Sequence, residues 1–159
     1  MDREEIVDAL RDWFDVDDWH YEYDAEKTTI KTGINLKCKI KSARITVRIK
    51  ENSYLVYVYA PISGDKDEPV EMLKYLTMAN YGLRNGNFEF DLRDGEIRYK
   101  VFVNCAELDS LSNAVIQDSV YVGCAMMDRY GNGIAALALG FSDADTEIRK
   151  AENREDDDA

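Results

Sequence analysis

Asn87-Phe88-Glu89-Phe90-Asp91-Leu92-Arg93-Asp94-Gly95-Glu96-Ile97-Arg98-Tyr99-Lys100-Val101-Phe102-Val103-Asn104 carries two alternating runs around one turn signal. Phe88, Phe90 and Leu92 alternate with Asn87, Glu89 and Asp91. After Asp94-Gly95, Ile97, Tyr99, Val101 and Val103 alternate with Arg98, Lys100 and Asn104. A period of two sends each set to one face of a sheet, and Asp-Gly supplies the positive φ of a tight turn. The segment predicts a β-hairpin with one buried and one polar face.

On the N-terminal side, Val70, Met72, Leu73, Leu76, Met78, Ala79 and Leu83 predict a helix. Asp67 is its expected cap, Pro69 sits in its first turn, and Asn85-Gly86 is its expected stop. Pro61 ends a strand from Tyr54 to Ala60 that is apolar on both faces and so reads as central. Glu51-Asn52-Ser53 is a turn. Ile30, Ile34, Leu36, Cys38 and Ile40 share one parity, while Ala43, Ile45, Val47 and Ile49 share the other. That phase change near Lys41-Ser42 predicts a second hairpin. Trp19, Tyr21 and Tyr23 alternate with His20, Glu22 and Asp24 as a further strand. Asp2 to Phe14 reads as a helix opened by an Asp2/Glu5 capping box, with Ile6, Val7, Leu10, Trp13 and Phe14 on one stripe.

On the C-terminal side, a helix is expected from Ser112 to Tyr130. Ile116, Val120, Gly123, Met127, Tyr130 and Ile134 repeat at spacings of four and three. Gly131-Asn132-Gly133 is expected to interrupt it, with a short apolar turn or helix continuing from Ile134 to Leu139. Because Val115, Val122 and Met126 are apolar on neighbouring faces, this helix has two faces to hide. That leaves room for a homodimer or another protein partner beside the core. Ser142 with Asp145 is a weak capping pair for a terminal helix, and Asp156-Asp157-Asp158 is an acidic run. The expected organisation is a single α+β domain over residues 1–141, then an acidic C-terminal tail over 142–159, short helix or disordered. Its fold class is an antiparallel β-sheet with helices packed on one face, in the order α-β-β-β(-β)-α-β-β-α.

The net charge of −12 over 159 residues opposes nonspecific binding to nucleic acid or to an anionic membrane surface. Neither is an expected partner. Lys37, Lys39, Lys41, Arg44, Arg48 and Lys50 crowd one stretch, which alternation turns into a solvated sheet face. Cys38, Cys105 and Cys124 are odd in number and widely spaced, without a CxxC pair, and fit a reducing, cytoplasmic compartment. The opening Met1-Asp2-Arg3-Glu4-Glu5 lacks a basic and apolar leader pattern, and no apolar run approaches the length of a span.

Catalytic chemistry finds little to work with. His20 is the only histidine and lies in a polar phase with no announced nucleophile. Glu89, Asp91 and Glu96 fall on polar phases, whereas a catalytic carboxylate needs apolar neighbours to shift it. Calcium-loop spacing fails around both Gly95 and Gly133, and phosphate-loop patterns are missing. No catalytic residue, metal site or cofactor is therefore expected, and the chain is read as non-enzymatic.

Leu76-Thr77-Met78-Ala79-Asn80-Tyr81-Gly82-Leu83-Arg84-Asn85-Gly86 leads directly into that first hairpin. Together they resemble the YbjN family of bacterial proteins, in which a helix with an Asn-rich turn precedes a "GxFExD…DGExR" hairpin. Ala60-Pro61 and the long helix ending near Tyr130 fit the same pattern. The resemblance spans most of Trp19 to Phe141 and is most specific at the hairpin. It implies a fold like that of type III secretion chaperones. It also implies a label as a candidate regulator of sensory transduction, with no catalytic residues to carry over. Secretion chaperones bind exposed, unfolded segments of other proteins, so a protein-binding module, chaperone-like or regulatory, is the leading expectation. Tyr54, Tyr57 and Tyr59 are candidate aromatic anchors, and Val122 and Met126 candidate contacts on the last helix. The alternative is a small-ligand sensor with a pocket between sheet and helices.

Overall fold

A computed structural model describes residues 1–153. Helix α1 (Arg3–Val16) precedes β1 (Glu22–Asp24), β2 (Thr29–Asn35), β3 (Ser42–Lys50) and β4 (Ser53–Tyr59). Helix α2 (Val70–Asn80) leads into β5 (Asn87–Phe90) and β6 (Ile97–Asn104), and α3 (Asn113–Ala138) and α4 (Ala144–Glu152) follow. The strands form one six-stranded antiparallel sheet in the order β1-β2-β3-β4-β6-β5. The fourth strand left open by the sequence is present, and β4 is central, between β3 and β6.

The alternating residues do what their period demands. Val47, Val56 and Val101 align across three strands, and Ile45, Val58, Tyr99 and Phe88 across four. All seven are buried on the face that receives the helices. Helix α1 lays Ile6, Leu10 and Phe14 into this layer, and its capping box closes as expected, with Asp2 accepting from the Glu5 N–H (3.0 Å). Helix α3 approaches so closely that a Cβ on Gly123 would lie 2.7 Å from Val58 Cγ2. Ala144, Ile148 and Ala151 of α4 join the same apolar cluster, so the packed structure continues past residue 141. The Asp156 to Asp158 run lies outside the described residues.

Several local expectations are corrected. Gly131-Asn132-Gly133 does not break α3, which runs through it unbroken. A Cβ at Gly131 would sit 2.6 Å from Cys38 Sγ, and one at Gly133 would collide with the Tyr75 ring and hydroxyl. Glycine is required there by neighbours, not by a turn. Helix α2 starts on Pro69 without a side-chain cap, and Asp67 does not serve as one. It also stops at Asn80, short of Asn85-Gly86, because Tyr81 turns extended and the Asn80 side chain leaves the helix to bind β5. Helix α4 is capped by Asp143, which accepts from the Thr146 N–H (2.8 Å), in place of Ser142. Only Glu22–Asp24 of the Trp19-to-Asp24 stretch pairs as strand. Trp19 instead packs in an aromatic group with Trp13, Phe14 and Tyr121. Cys38 and Ile40 are buried, as their parity requires, but on the loop joining β2 to β3.

Candidate functional site

The sheet has a second face, and among the described residues no helix lies on it. Cross-strand partners share a face, so its make-up follows from the register. One row reads Gly33, Arg44, Tyr59, Arg98, Glu89. The next reads Glu22, Lys31, Thr46, Tyr57, Lys100, Asn87, and a third Asp24, Thr29, Arg48, Leu55, Phe102. Lys50 closes β3 opposite Ser53.

Tyr57 and Tyr59 belong to this open face, yet each is only 7% exposed. Arginines cover them. The Arg44 guanidinium stands 5.1 Å above the Tyr59 ring, while Arg48 and Arg98 lie 5.3 Å and 4.3 Å from that of Tyr57. A guanidinium over an aromatic face gains electrostatic attraction and keeps its N–H fork free to reach outward. Arg98 spends that fork on Glu89, bonding at 2.8 Å and 2.6 Å, and Lys100 pairs with the same carboxylate. Burial alone would raise Glu89, but Lys100 and Arg98 together outweigh it and hold the carboxyl below its ordinary value. Arg44, Arg48, Lys31 and Lys50 are exposed and have no carboxylate partner among the described residues. Phe102, 58% exposed, and half-buried Leu55 form an apolar edge beside Arg48.

Tyr54 is corrected as a surface anchor. It is 0% exposed, on the helix side of β4, with its hydroxyl 2.9 Å from that of Ser119. Burial pushes this phenol up to about 12, the Ser119 hydrogen bond opposing in part. The two-sided apolar pattern of β4 could not tell which parity met the helices. Val122 and Met126 are half-buried on α3 and pack against the core. They do not meet Tyr57 and Tyr59, which lie across the sheet. The cationic rim was legible in part as the Arg44 to Lys50 run. Arg98 and Lys100 join it only through the β4–β6 register, which no local pattern announces.

The sheet edges are less available. On β5 the outward N–H of Phe88 donates to Asn80 Oδ1 (2.7 Å), and Asn80 Nδ2 donates to the Phe88 carbonyl (3.0 Å). The opposite edge, β1, is three residues long. Short or occupied edges resist addition of another strand.

Elsewhere, a cleft of about 430 Å³ lies between α3, α4 and the β2–β3 loop, not between sheet and helices. Lys39, Arg129 and Lys150 rim it beside Phe141 and Glu147. Among the described residues, no group of three or more His, Cys, Asp or Glu side chains is placed to hold a metal ion. Among the same residues, no helix is long and apolar enough to cross a membrane.

No family model matches the chain, and no curated protein matches it in sequence. Solved structures do share its fold. YbjN from E. coli, a candidate transcription regulator, superposes with a TM-score of 0.61 at 10% identity, over 82% of this chain and 91% of that one. A chain of the ExsC–ExsE complex gives 0.56 at 12% identity, covering 81% and 96%. A chain of the HopA1–SchA chaperone–effector complex gives 0.54 at 12% identity, covering 84% and 98%. The molecule therefore has the α+β fold, type III secretion chaperone-like, that YbjN and these complexes also contain.

Proposed function

We propose that this chain is a non-enzymatic, protein-binding module, chaperone-like or regulatory, working in the bacterial cytoplasm. The supporting observation is a sheet face that no described helix covers, with arginines over tyrosines and an exposed Phe102, on a fold that also occurs in a chaperone–effector complex. Arginine and aromatic side chains are the residue types that dominate binding energy at protein interfaces. Tyr57 and Tyr59 serve as the supporting floor of this surface. Val122 and Met126 are secondary contacts on α3, available to a partner or a second copy.

The test is affinity capture from the native host, followed by reconstitution of the recovered pair and native mass spectrometry. One protein bound at fixed stoichiometry in the reconstituted complex is the expected result. An empty monomer or homodimer, recovered under conditions that preserve other complexes, would sink this reading.

One feature favours the small-ligand alternative at a different place. The cleft beside Lys39, Arg129 and Lys150 has the volume of a small-molecule site and a cationic rim. A small-molecule adduct in the same mass spectra, without a protein partner, would move the function there.

A further inference from the structure

We propose that the open face of the sheet docks a carboxylate-rich segment of another protein, with Arg44 and Arg48 as its charge-reading residues and Phe102 with Leu55 as its apolar contact. The proposal rests on the protein-binding reading above and names the chemistry of the partner.

Charge complementarity carries it. The chain has net charge −12, so a cluster of unpaired cations is not its average surface. Lys31, Arg44, Arg48 and Lys50 nevertheless gather on one face without carboxylate partners among the described residues. Arg44 and Arg48 are stacked on Tyr59 and Tyr57, which restricts their motion before any ligand arrives. A fork held in place loses less entropy when it forms a bidentate bond to a carboxylate. Lying four residues apart on one strand, the two are separated by about 13 Å, within reach of two carboxylates on one extended segment. Phe102 and Leu55 share the Arg48 row, so an apolar side chain between or beside those carboxylates has a place to land.

The same geometry disfavours a polynucleotide. Stacking of successive bases needs a series of open aromatic rings, and with Tyr57 and Tyr59 lidded by guanidiniums this face offers Phe102 alone among the described residues. Glu22, Asp24 and Glu89 border the cations on both sides, which a uniformly charged polymer would meet and a short acidic segment would not. Strand addition at the β5 edge is disfavoured too, since Asn80 occupies it.

The experiment is an NMR titration of the isotope-labelled chain with a synthetic extended peptide that carries glutamates at every fourth position around a central leucine. The comparison probes are the same peptide with lysines and an oligothymidylate of similar length. The expected result is a set of amide shifts confined to Arg44, Thr46, Arg48, Leu55, Tyr57 and Phe102. They should be suppressed near 1 M salt, where the screening length is about 3 Å. Arg44→Glu with Arg48→Glu should weaken the acidic peptide by at least about tenfold, since attraction becomes like-charge repulsion. Should that pair unfold the sheet, Arg44→Gln with Arg48→Gln gives the same readout. Equal binding of the lysine peptide, shifts centred elsewhere, or tighter binding of the oligothymidylate would each overturn the proposal. If the double variant still forms the reconstituted complex undiminished, this face is wrong while the protein-binding reading stands. If the wild-type chain has no partner, that reading itself fails.

Discussion

Gly131 and Gly133 stand inside the C-terminal third of α3 because Cys38, Ile40 and Tyr75 leave no room for a methyl group. In an exposed helix, glycine to alanine gains about 1 kcal/mol of stability. At Gly133 the sign should reverse: Gly133→Ala is expected to cost about 1–3 kcal/mol, because the new Cβ displaces Tyr75 and its hydrogen bond to the Tyr130 carbonyl (2.8 Å). Denaturant unfolding reads the sign directly, and a stabilised variant would contradict the close packing. The sequence expectation of a helix break here failed for a physical reason. A local pattern cannot distinguish a glycine that bends its chain from one that admits a distant side chain. Tyr54 and Tyr99 supply a pH test. Burial pushes both phenols up to about 12, with Tyr130 adding to the effect at Tyr99. The unfolded chain then loses these protons first, so stability should fall as pH rises from 10 toward 12. Tyrosinate absorbance should show these phenols ionising late or together with unfolding. Ionisation of every tyrosine near 10 in a folded chain would contradict the buried positions.

The hairpin of β5 and β6 was the most legible element, because alternation and Asp-Gly are local signals. Its pairing from Phe90 with Ile97 leaves a six-residue connection, Asp91 to Glu96, in which Gly95 has φ +82°. Its ties to the rest were not legible. Asn80 reaches from α2 to bind both outward backbone groups of Phe88, so Asn80→Ala is expected to cost about 1–2 kcal/mol, chiefly from the part-buried Phe88 N–H left unpaired, since Asn87 Nδ2 still donates to the Phe88 carbonyl (3.1 Å). Amide exchange should be fastest at β5 in that variant, and unchanged exchange at Phe88 would contradict the bridge. Across the hairpin, Glu89 joins Arg98 and Lys100. Glu89→Gln is expected to cost about 1 kcal/mol at neutral pH, a modest figure because the pair is partly solvated. Because these cations hold the Glu89 carboxyl below its ordinary 4.5, its contribution is present above that value and lost as pH falls through the lowered one. The difference between wild type and variant should therefore vanish in acid. A gap that stays constant below pH 4 would contradict the ion-pair origin.

At the scale of the fold, helices cover one sheet face, and no described helix covers the other. The division of labour was visible in outline: helices on one side of an antiparallel sheet follow from element order and period. Which tyrosines faced outward was not, since β4 is apolar on both parities. Tyr54 went to the core and Tyr57 and Tyr59 to the open side, where arginines hide them from solvent. The basic run from Arg44 to Lys50 was visible despite the acidic total, but Arg98 and Lys100 join its face only through the β4–β6 register, to which charge counted along the chain is blind. The resemblance at the hairpin pointed to the right fold, and the superpositions on YbjN and on chains of the ExsC–ExsE and HopA1–SchA complexes agree with it at 10–12% identity. The most direct test of the open face as a protein docking surface is site-specific photo-crosslinking in the native host. A photoreactive residue is placed at Phe102, with a control at Val16, which is 86% exposed on α1. One discrete protein adduct from position 102, missing at 16 and lost when Arg44 and Arg48 are changed to glutamate, is the predicted result. Equal adducts from both positions, or none from 102 while a stoichiometric complex still forms, would contradict it.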